Sequence, residues 1–275
     1  MLNKTNLIIE NMEKNINKDS KININSDIKV GVDLGTSDIV ITVLDKDNNP
    51  ICAEMYYANA VRDGVVVDFL NAVNILQELK GNIEKKLSLD ISKTATAIPP
   101  GISKGNIKVI KNVVEASGIE VSNIVDEPTA AATLLDIKNG AVVDVGGGTT
   151  GISILKNGEV VYTADEATGG THLSLVLAGA YGISFEEAEK FKVKKENYNK
   201  VFPLVIPVIE KMADIIKRHI KNYDVEEVYL VGGTCCIKDM EKIIENYIGI
   251  KCIKPTNPLL VTPIGIAMNA EIIKR

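Results

Sequence analysis

The sequence predicts an α/β protein of two duplicated lobes around a cleft. Three observations predict it. A strand that ends in an aspartate and a glycine-threonine turn occurs twice, about 110 residues apart. Each copy opens a run of three β-branched strands, and each run is followed by alternating helix and strand. The first copy is Val30-Gly31-Val32-Asp33-Leu34-Gly35-Thr36-Ser37; the second is Val142-Val143-Asp144-Val145-Gly146-Gly147-Gly148-Thr149-Thr150. In each, an apolar run delivers an acid to a strand end, and glycines let backbone N–H groups approach an anion.

In the first half, strands are expected at Lys29–Leu34, Ile39–Leu44 and Ile51–Tyr57, with Asp47-Asn48-Asn49-Pro50 as a turn. Val73, Leu76, Leu79, Ile83 and Leu87 are spaced for a helix over Asn71–Leu87. Thr94–Ile98 is a strand, Ile107–Ala116 a helix closed by Gly118, and Val121–Val125 a strand. Glu127 opens a helix with Pro128 in its first turn, where the missing N–H costs little.

The second half repeats the plan with strands at Ala141–Val145, Gly151–Leu155 and Glu159–Thr163, the last two joined by Asn157-Gly158, a hairpin signal. Helices are expected at Thr171–Ala180, Ser184–Phe191 and Pro207–Tyr223, a strand at Glu227–Val231, and helices at Lys238–Tyr247 and Pro263–Lys274. This divides the chain into a flexible N-terminal extension (1–27), a first lobe with a small insertion (28–138) and a second lobe (139–275). The terminal helix (263–274) is expected to pack back across the lobe junction.

Composition narrows the function. The chain has 275 residues, 45% apolar and 24% charged, values ordinary for a globular protein. Its net charge of -5 argues against nucleic acid or an anionic membrane as the main partner. No apolar run approaches the roughly 20 residues of a membrane span. Glu10, Glu13, Lys14 and Asp19 interrupt the N-terminal apolar residues, unlike a secretory signal. Leu7, Ile8, Met12 and Ile16 could form one stripe of a short helix, read either as a locally helical tail or as a docking peptide. Cys52, Cys235, Cys236 and Cys252 form no CxxC pair, which suits reduced thiols of a cytoplasmic protein. With only His172 and His219, a histidine metal site or a Ser-His-Asp triad is poorly supported.

Asp33 and Asp144 are the candidate ligands of a divalent cation on a polyphosphate; alone, each reads equally well as a β-turn cap. Glu127 could orient a water for attack on a γ-phosphate, or simply be an acid in a helix's first turn. Gly232-Gly233-Thr234 ends a strand and would let a base or α-phosphate approach, although turns use Gly-Gly too. Thr168-Gly169-Gly170-Thr171 opens a helix and is a second place for phosphate. Glu189 and Lys192 could bracket a ribose or form a solvated i,i+3 pair.

Together these segments resemble the actin, Hsp70 and sugar-kinase superfamily. Asp33-Leu34-Gly35-Thr36 is similar to its first phosphate loop, Glu127–Ala132 to its first connecting helix and Asp144–Thr149 to its second phosphate loop. Gly232-Gly233 is similar to its adenosine motif, and Gly265-Ile266-Ala267 sits where the second connecting helix belongs. The fold implied is a pair of ribonuclease-H-like lobes, the actin/Hsp70 ATPase fold. Val61–Phe69, Ile98-Pro99-Pro100-Gly101, Ala164–His172 and Ile183–Glu189 resemble the EutJ family more closely. That resemblance implies a chaperone-like protein of ethanolamine utilization, assisting ethanolamine ammonia-lyase or assembly of a bacterial microcompartment.

Residue by residue, the resemblance implies phosphate contacts from Asp33, Thr36, Gly146, Gly147, Gly148 and Thr149, with Gly35, Ser37, Gly169 and Gly170 as further candidates for nucleotide binding. It implies Mg²⁺ at Asp33 and Asp144, a water at Glu127, and adenosine at Glu189, Lys192, Gly232 and Gly233. ATP or ADP is then the expected ligand and weak Mg-dependent hydrolysis the expected activity. The span from Asp45 to Lys93 is too short for Hsp70's first-lobe insertion, so that family's catalytic lysine has no clear equivalent. No β-rich peptide-binding domain is expected after the last helix. An actin-like filament former and a small-molecule kinase are the alternatives.

Overall fold

The computed structural model describes residues 2–58, 60–62 and 65–275. Of the segment Val61–Phe69 quoted above, Asp63 and Gly64 lie outside the described residues. The chain divides into two compact units: Met1–Ile137 with Pro255–Arg275, and Lys138–Lys254.

The first unit begins with α1 (Asn3–Glu13). Three antiparallel strands follow, β1 (Ile28–Leu34), β2 (Asp38–Asp45) and β3 (Pro50–Tyr57), then the short hairpin β4 (Val61–Arg62) and β5 (Val65–Val66). Next come α2 (Phe69–Leu87), β6 (Lys93–Ile98), α3 (Lys104–Ala116), β7 (Glu120–Asp126) and α4 (Glu127–Leu135). The five-stranded sheet runs β3-β2-β1-β6-β7, with β1, β6 and β7 parallel. Val30 and Val32 of β1 join Ile39, Ile41 and Val43 of β2 in a core with Leu76, Leu79 and Ile83 of α2 and Val113 and Val114 of α3. Helix boundaries follow their capping residues. Asp68, Ser103 and Asp126 each accept a hydrogen bond from the backbone N–H three residues on, and Ser88 closes α2 in the left-handed conformation.

The second unit opens with β8 (Gly140–Val145), β9 (Thr150–Lys156) and β10 (Glu159–Glu166). Asn157 and Gly158, with φ of 56° and 83°, turn β9 into β10 as the Asn-Gly pair predicts. Then come α5 (Gly170–Tyr181), α6 (Phe185–Lys192), α7 (Tyr198–Ile220), β11 (Glu227–Val231), α8 (Met240–Ile248) and β12 (Lys251–Ile253). Its sheet runs β10-β9-β8-β11-β12, with β8, β11 and β12 parallel. Strand for strand this is the order of the first sheet, so the duplication predicted from the two aspartate turns is a duplication of topology.

The structure corrects two of the expected domain assignments. The N-terminal residues are no loose tail. Ile9 and Met12 of α1 are fully buried, Thr5 Oγ1 donates to Leu134 O at 3.3 Å, and Asn17 exchanges hydrogen bonds with Met55 of β3. The apolar face that matters is Ile9 and Met12, one turn apart. The last helix, α9 (Val261–Met268), is shorter than expected and belongs to the first unit, not the second. The reason is steric. Gly265 has no Cβ and lies against the backbone of Ala130 in α4, while Gly31 of β1 lies 2.8 Å, measured from where its Cβ would be, from Ala267 Cα. Beyond α9, Ile273 and Ile28 exchange backbone hydrogen bonds of 2.8 and 3.1 Å.

Helix α7 starts nine residues before the expected Pro207 and holds both Pro203 and Pro207 in its interior. Both prolines sit on its exposed side, whereas Val201, Val205, Ile209, Met212 and Ile216 bury one continuous face. Burial of that stripe outweighs the helix-breaking tendency of proline.

Candidate functional site

In the first unit, the parallel strands β1, β6 and β7 end on the same sheet edge, the carboxyl edge where open α/β sheets take ligands. Asp33 is the next-to-last residue of β1, opposite Val40 in the register with β2. Gly35 makes the turn: a Cβ there would lie 2.9 Å from the carbonyl oxygen of Asp38. Thr36 is half-buried and Ser37 exposed. The Ser37 carbonyl accepts from the Ala58 N–H at 3.1 Å, tying this turn to the end of β3. At the end of β7, the Asp126 side chain accepts from Thr129 N at 2.9 Å and from Thr129 Oγ1 at 2.7 Å, fixing the start of α4. Glu127 is the first residue of that helix and half-buried, where the helix dipole favours its negative charge. Two strand spacings separate β1 from β7, so the backbones at Asp33 and Glu127 stand about 10 Å apart along one edge.

In the second unit, Asp144 is the next-to-last residue of β8 and pairs in register with Val231, the last of β11. Gly232 follows at φ +90°; a Cβ there would collide with the Asp144 carboxylate and lie 2.6 Å from the Val145 carbonyl oxygen. Glycine at 232 is therefore demanded by the close approach of two strand ends. The loop Gly146–Thr149 is closed by Gly146 N donating to Thr149 O at 3.0 Å. Its Gly146 carbonyl is the hub, accepting from Gly170 N at 2.9 Å and from Thr234 Oγ1 at 2.8 Å. The Gly147 carbonyl accepts from Thr171 N at 2.8 Å, and a Cβ on Gly169 would lie 2.7 Å from that same oxygen.

These contacts change the reading of Gly169 and Gly170. Expected to offer helix N–H groups to phosphate, they brace the glycine loop instead. The N–H of Gly170 and that of Thr171 donate to loop carbonyls, and the N–H of Gly169 donates to His172 Nδ1 at 3.3 Å. Glu189 and Lys192 form the expected i,i+3 pair at 2.8 Å, but it is no solvated pair. The Lys192 side chain is only 10% exposed, and its Nζ also donates to Gly170 O at 3.1 Å and to Ser174 Oγ at 2.8 Å. Ser174 in turn donates to Glu189 through a short hydrogen bond. Lys192 thus holds α6 against the first turn of α5, behind the glycine loop.

Gly169 and Gly170 meet this loop directly, and Gly232 meets the Asp144-Val145 strand end that leads into it. Thr234, quoted in the sequence only as part of Gly232-Gly233-Thr234, joins them. Ser174, which the sequence reading did not assign, ties Lys192 and Glu189 to the first turn of α5. Thr234 carried a faint signal, as the hydroxyl directly after Gly232-Gly233; Ser174 carried none. Behind the loop, burial first and the Asp144 charge second push the Cys235 thiol well above its usual range, so it stays protonated and inert.

Each unit offers one strand-end carboxylate, an oxygen donor suited to a hard cation that retains much of its water. Among the described residues, no group of three or more His, Cys, Asp or Glu could hold a metal by itself. Among the described residues, no helix is long and apolar enough to cross a membrane.

Comparison with known proteins agrees with this architecture. Residues 130–263 match the family of Type IV pilus assembly protein PilM, and residues 52–181 match the MreB/Mbl protein family. The ethanolamine utilization protein EutJ of Escherichia coli (strain K12) is 43% identical over 247 residues, covering 90% of this chain and 87% of its own length. The crystal structure of EutJ from Carboxydothermus hydrogenoformans superposes with a TM-score of 0.92 at 44% identity, covering 96% of this chain and 98% of that one. MreB5 of Spiroplasma citri, solved bound to ADP, superposes with a TM-score of 0.69 at 18% identity over 86% of this chain and 94% of its own, a likeness of fold alone. A sheet order repeated in two units, aspartates ending equivalent strands and identity above two-fifths over nearly the whole length lead to one assignment: the chain belongs to the EutJ family of ethanolamine utilization proteins.

Proposed function

We propose that this chain is a chaperone-like protein of ethanolamine utilization that binds Mg-ATP or Mg-ADP and hydrolyses ATP slowly. The observation that carries the reading is the equivalence of Asp33 and Asp144, each next to last on the central strand of a five-stranded sheet of the same order. A nucleotide-bound MreB of the same fold supports it further.

In this reading the residues that would contact the phosphates are Gly35, Thr36 and Ser37, and Gly146 to Thr149. Asp33 and Asp144 would be the ligands of a magnesium ion, which would supply neutralisation of the phosphate charge. Glu127 would orient the attacking water from its place in the first turn of α4. Gly232 and Gly233 give an adenosine a wall without side chains, and Lys192 positions Glu189 at its edge. Gly169 and Gly170 support the loop from behind. Differential affinity for nucleotide states would then bias a surface that meets the client, ethanolamine ammonia-lyase or a microcompartment protein.

Calorimetric titration with Mg-ATP and Mg-ADP, with and without ethanolamine ammonia-lyase, tests both parts. Saturable heat with either nucleotide supports the site, and a shift of that affinity by the lyase supports the client. Absence of heat with folded protein removes the nucleotide reading; heat that the lyase leaves unchanged removes only that client.

A further inference from the structure

The duplicated core has no place for α1: nothing equivalent precedes β8 in the second unit. The helix is anchored by its inner face, Ile9 and Met12, and that anchoring leaves another face unused. Lys4, Leu7, Ile8, Asn11, Lys14 and Lys18 recur at three- and four-residue intervals along α1 and the turn after it, and all line one groove of about 620 Å³. The opposite wall is the turn Asp47–Pro50 between β2 and β3, and Met268 at the end of α9 also lines the groove. Leu7 is 56% exposed.

Charge gives the occupant. The groove carries Lys4, Lys14 and Lys18 against the single acid Asp47, in a protein whose net charge is -5. Lys29 Nζ adds to the field from behind the turn, donating to Asn48 Oδ1 at 2.9 Å. The asparagines Asn11, Asn15, Asn48 and Asn49 offer both donors and acceptors between the lysines.

We propose that this groove docks an acidic amphipathic helix of a partner protein, its apolar stripe on Leu7, Ile8 and Met268 and its carboxylates on Lys4, Lys14 and Lys18. The eleven residues of α1 span about 16 Å, so about three turns of partner helix fill the groove. The site is independent of the nucleotide reading, since every residue in it belongs to the first unit and none to either phosphate loop.

Fluorescence anisotropy without nucleotide tests it. The probe is an 18-residue helical peptide with leucine along one face and glutamate elsewhere. One control carries lysine for every glutamate; a second is poly-L-glutamate of equal charge, which has no apolar face. The acidic amphipathic peptide should bind saturably and weaken with salt. Lys14→Glu combined with Lys18→Glu, and separately Leu7→Glu, should each weaken binding at least tenfold while the circular-dichroism melting curve stays put. Equal binding of the lysine peptide, equal binding of poly-L-glutamate, binding indifferent to the substitutions, or no saturable binding would each overturn the proposal.

Discussion

Glycine at 232 and glycine at 179 show how differently one residue type can matter. Gly232 holds φ +90° with the Asp144 carboxylate and the Val145 carbonyl where its Cβ would be, whereas a Cβ on Gly179 in α5 meets nothing within 4 Å. Gly232→Ala should cost about 3 kcal/mol or more, through backbone strain and overpacking at a strand end. Gly179→Ala should stabilise by about 0.5–1 kcal/mol through helix propensity. Urea midpoints of the two variants check both signs. For chemistry, Glu127→Gln should slow ATP hydrolysis about a hundredfold or more and leave nucleotide affinity nearly unchanged, while Asp144→Ala should weaken affinity itself; single-turnover hydrolysis and calorimetry separate the two. The buried thiols set the alkaline limit. Burial pushes Cys52 up to about 12, aided by Glu54 and opposed by Lys86, and pushes Cys252 up to about 12 with help from Glu245 and Glu241. Their folded values lie above the unfolded one, so the stability they supply is complete below pH 9 and is lost as pH rises from there toward 12. Unfolding free energies measured across that window by urea titration should fall, by about 1.4 kcal/mol per pH unit for each thiol. At pH 8 a thiol reagent should modify the exposed Cys236 alone in the native state. At this scale the acids and glycines of the site were legible because their meaning is local: an acid ends a strand, a glycine follows. Thr234 was not, because the carbonyl it binds lies 88 residues earlier in the chain.

Most strands and helices follow the periodicity of their apolar residues, and the departures have physical causes. The three residues of β12 are too few to show alternation, and α8 starts at Met240 because Asp239 takes a left-handed conformation. Helix α1 was partly legible. Its stripe was read through Leu7, Ile8, Met12 and Ile16, and only contact with β3 and α4 selects Ile9 and Met12 as the buried pair. Its removal is therefore informative. Fully burying two large apolar side chains contributes about 3–6 kcal/mol, partly offset by the entropy of ordering the segment. Deleting residues 1–18 should lower Tm by roughly 5–10 °C in a thermal melt, and an unchanged Tm would return α1 to the status of a tail.

At the scale of the molecule, repetition was the most legible feature, because two aspartate turns, each followed by the same strand and helix pattern, demand two similar sheets. The repeat extends to a detail no pattern suggested. Thr42 of β2 and Ser153 of β9 stand at the same offset as Asp33 and Asp144, and both bury a hydroxyl that has no hydrogen-bond partner among the described residues. The return of residues 255–275 to the first unit was legible only in part: the terminal helix is expected to pack back across the lobe junction, but sequence order assigns it to the half it follows. A chain ending at Lys254 should leave the Gly31 and Ala130 faces bare and leave the backbone of Ile28 without its bridge to Ile273. Its first unit should lose cooperative unfolding and gain dye-binding apolar surface, while the second unit's segment remains uninterrupted.

That return has a consequence during synthesis. The segment from Lys138 to Lys254 can acquire its fold as soon as it clears the ribosome, whereas the amino-terminal half must wait, unfinished, until translation has delivered residues 255–275, which complete it. The part of the protein made first would then be the last to mature.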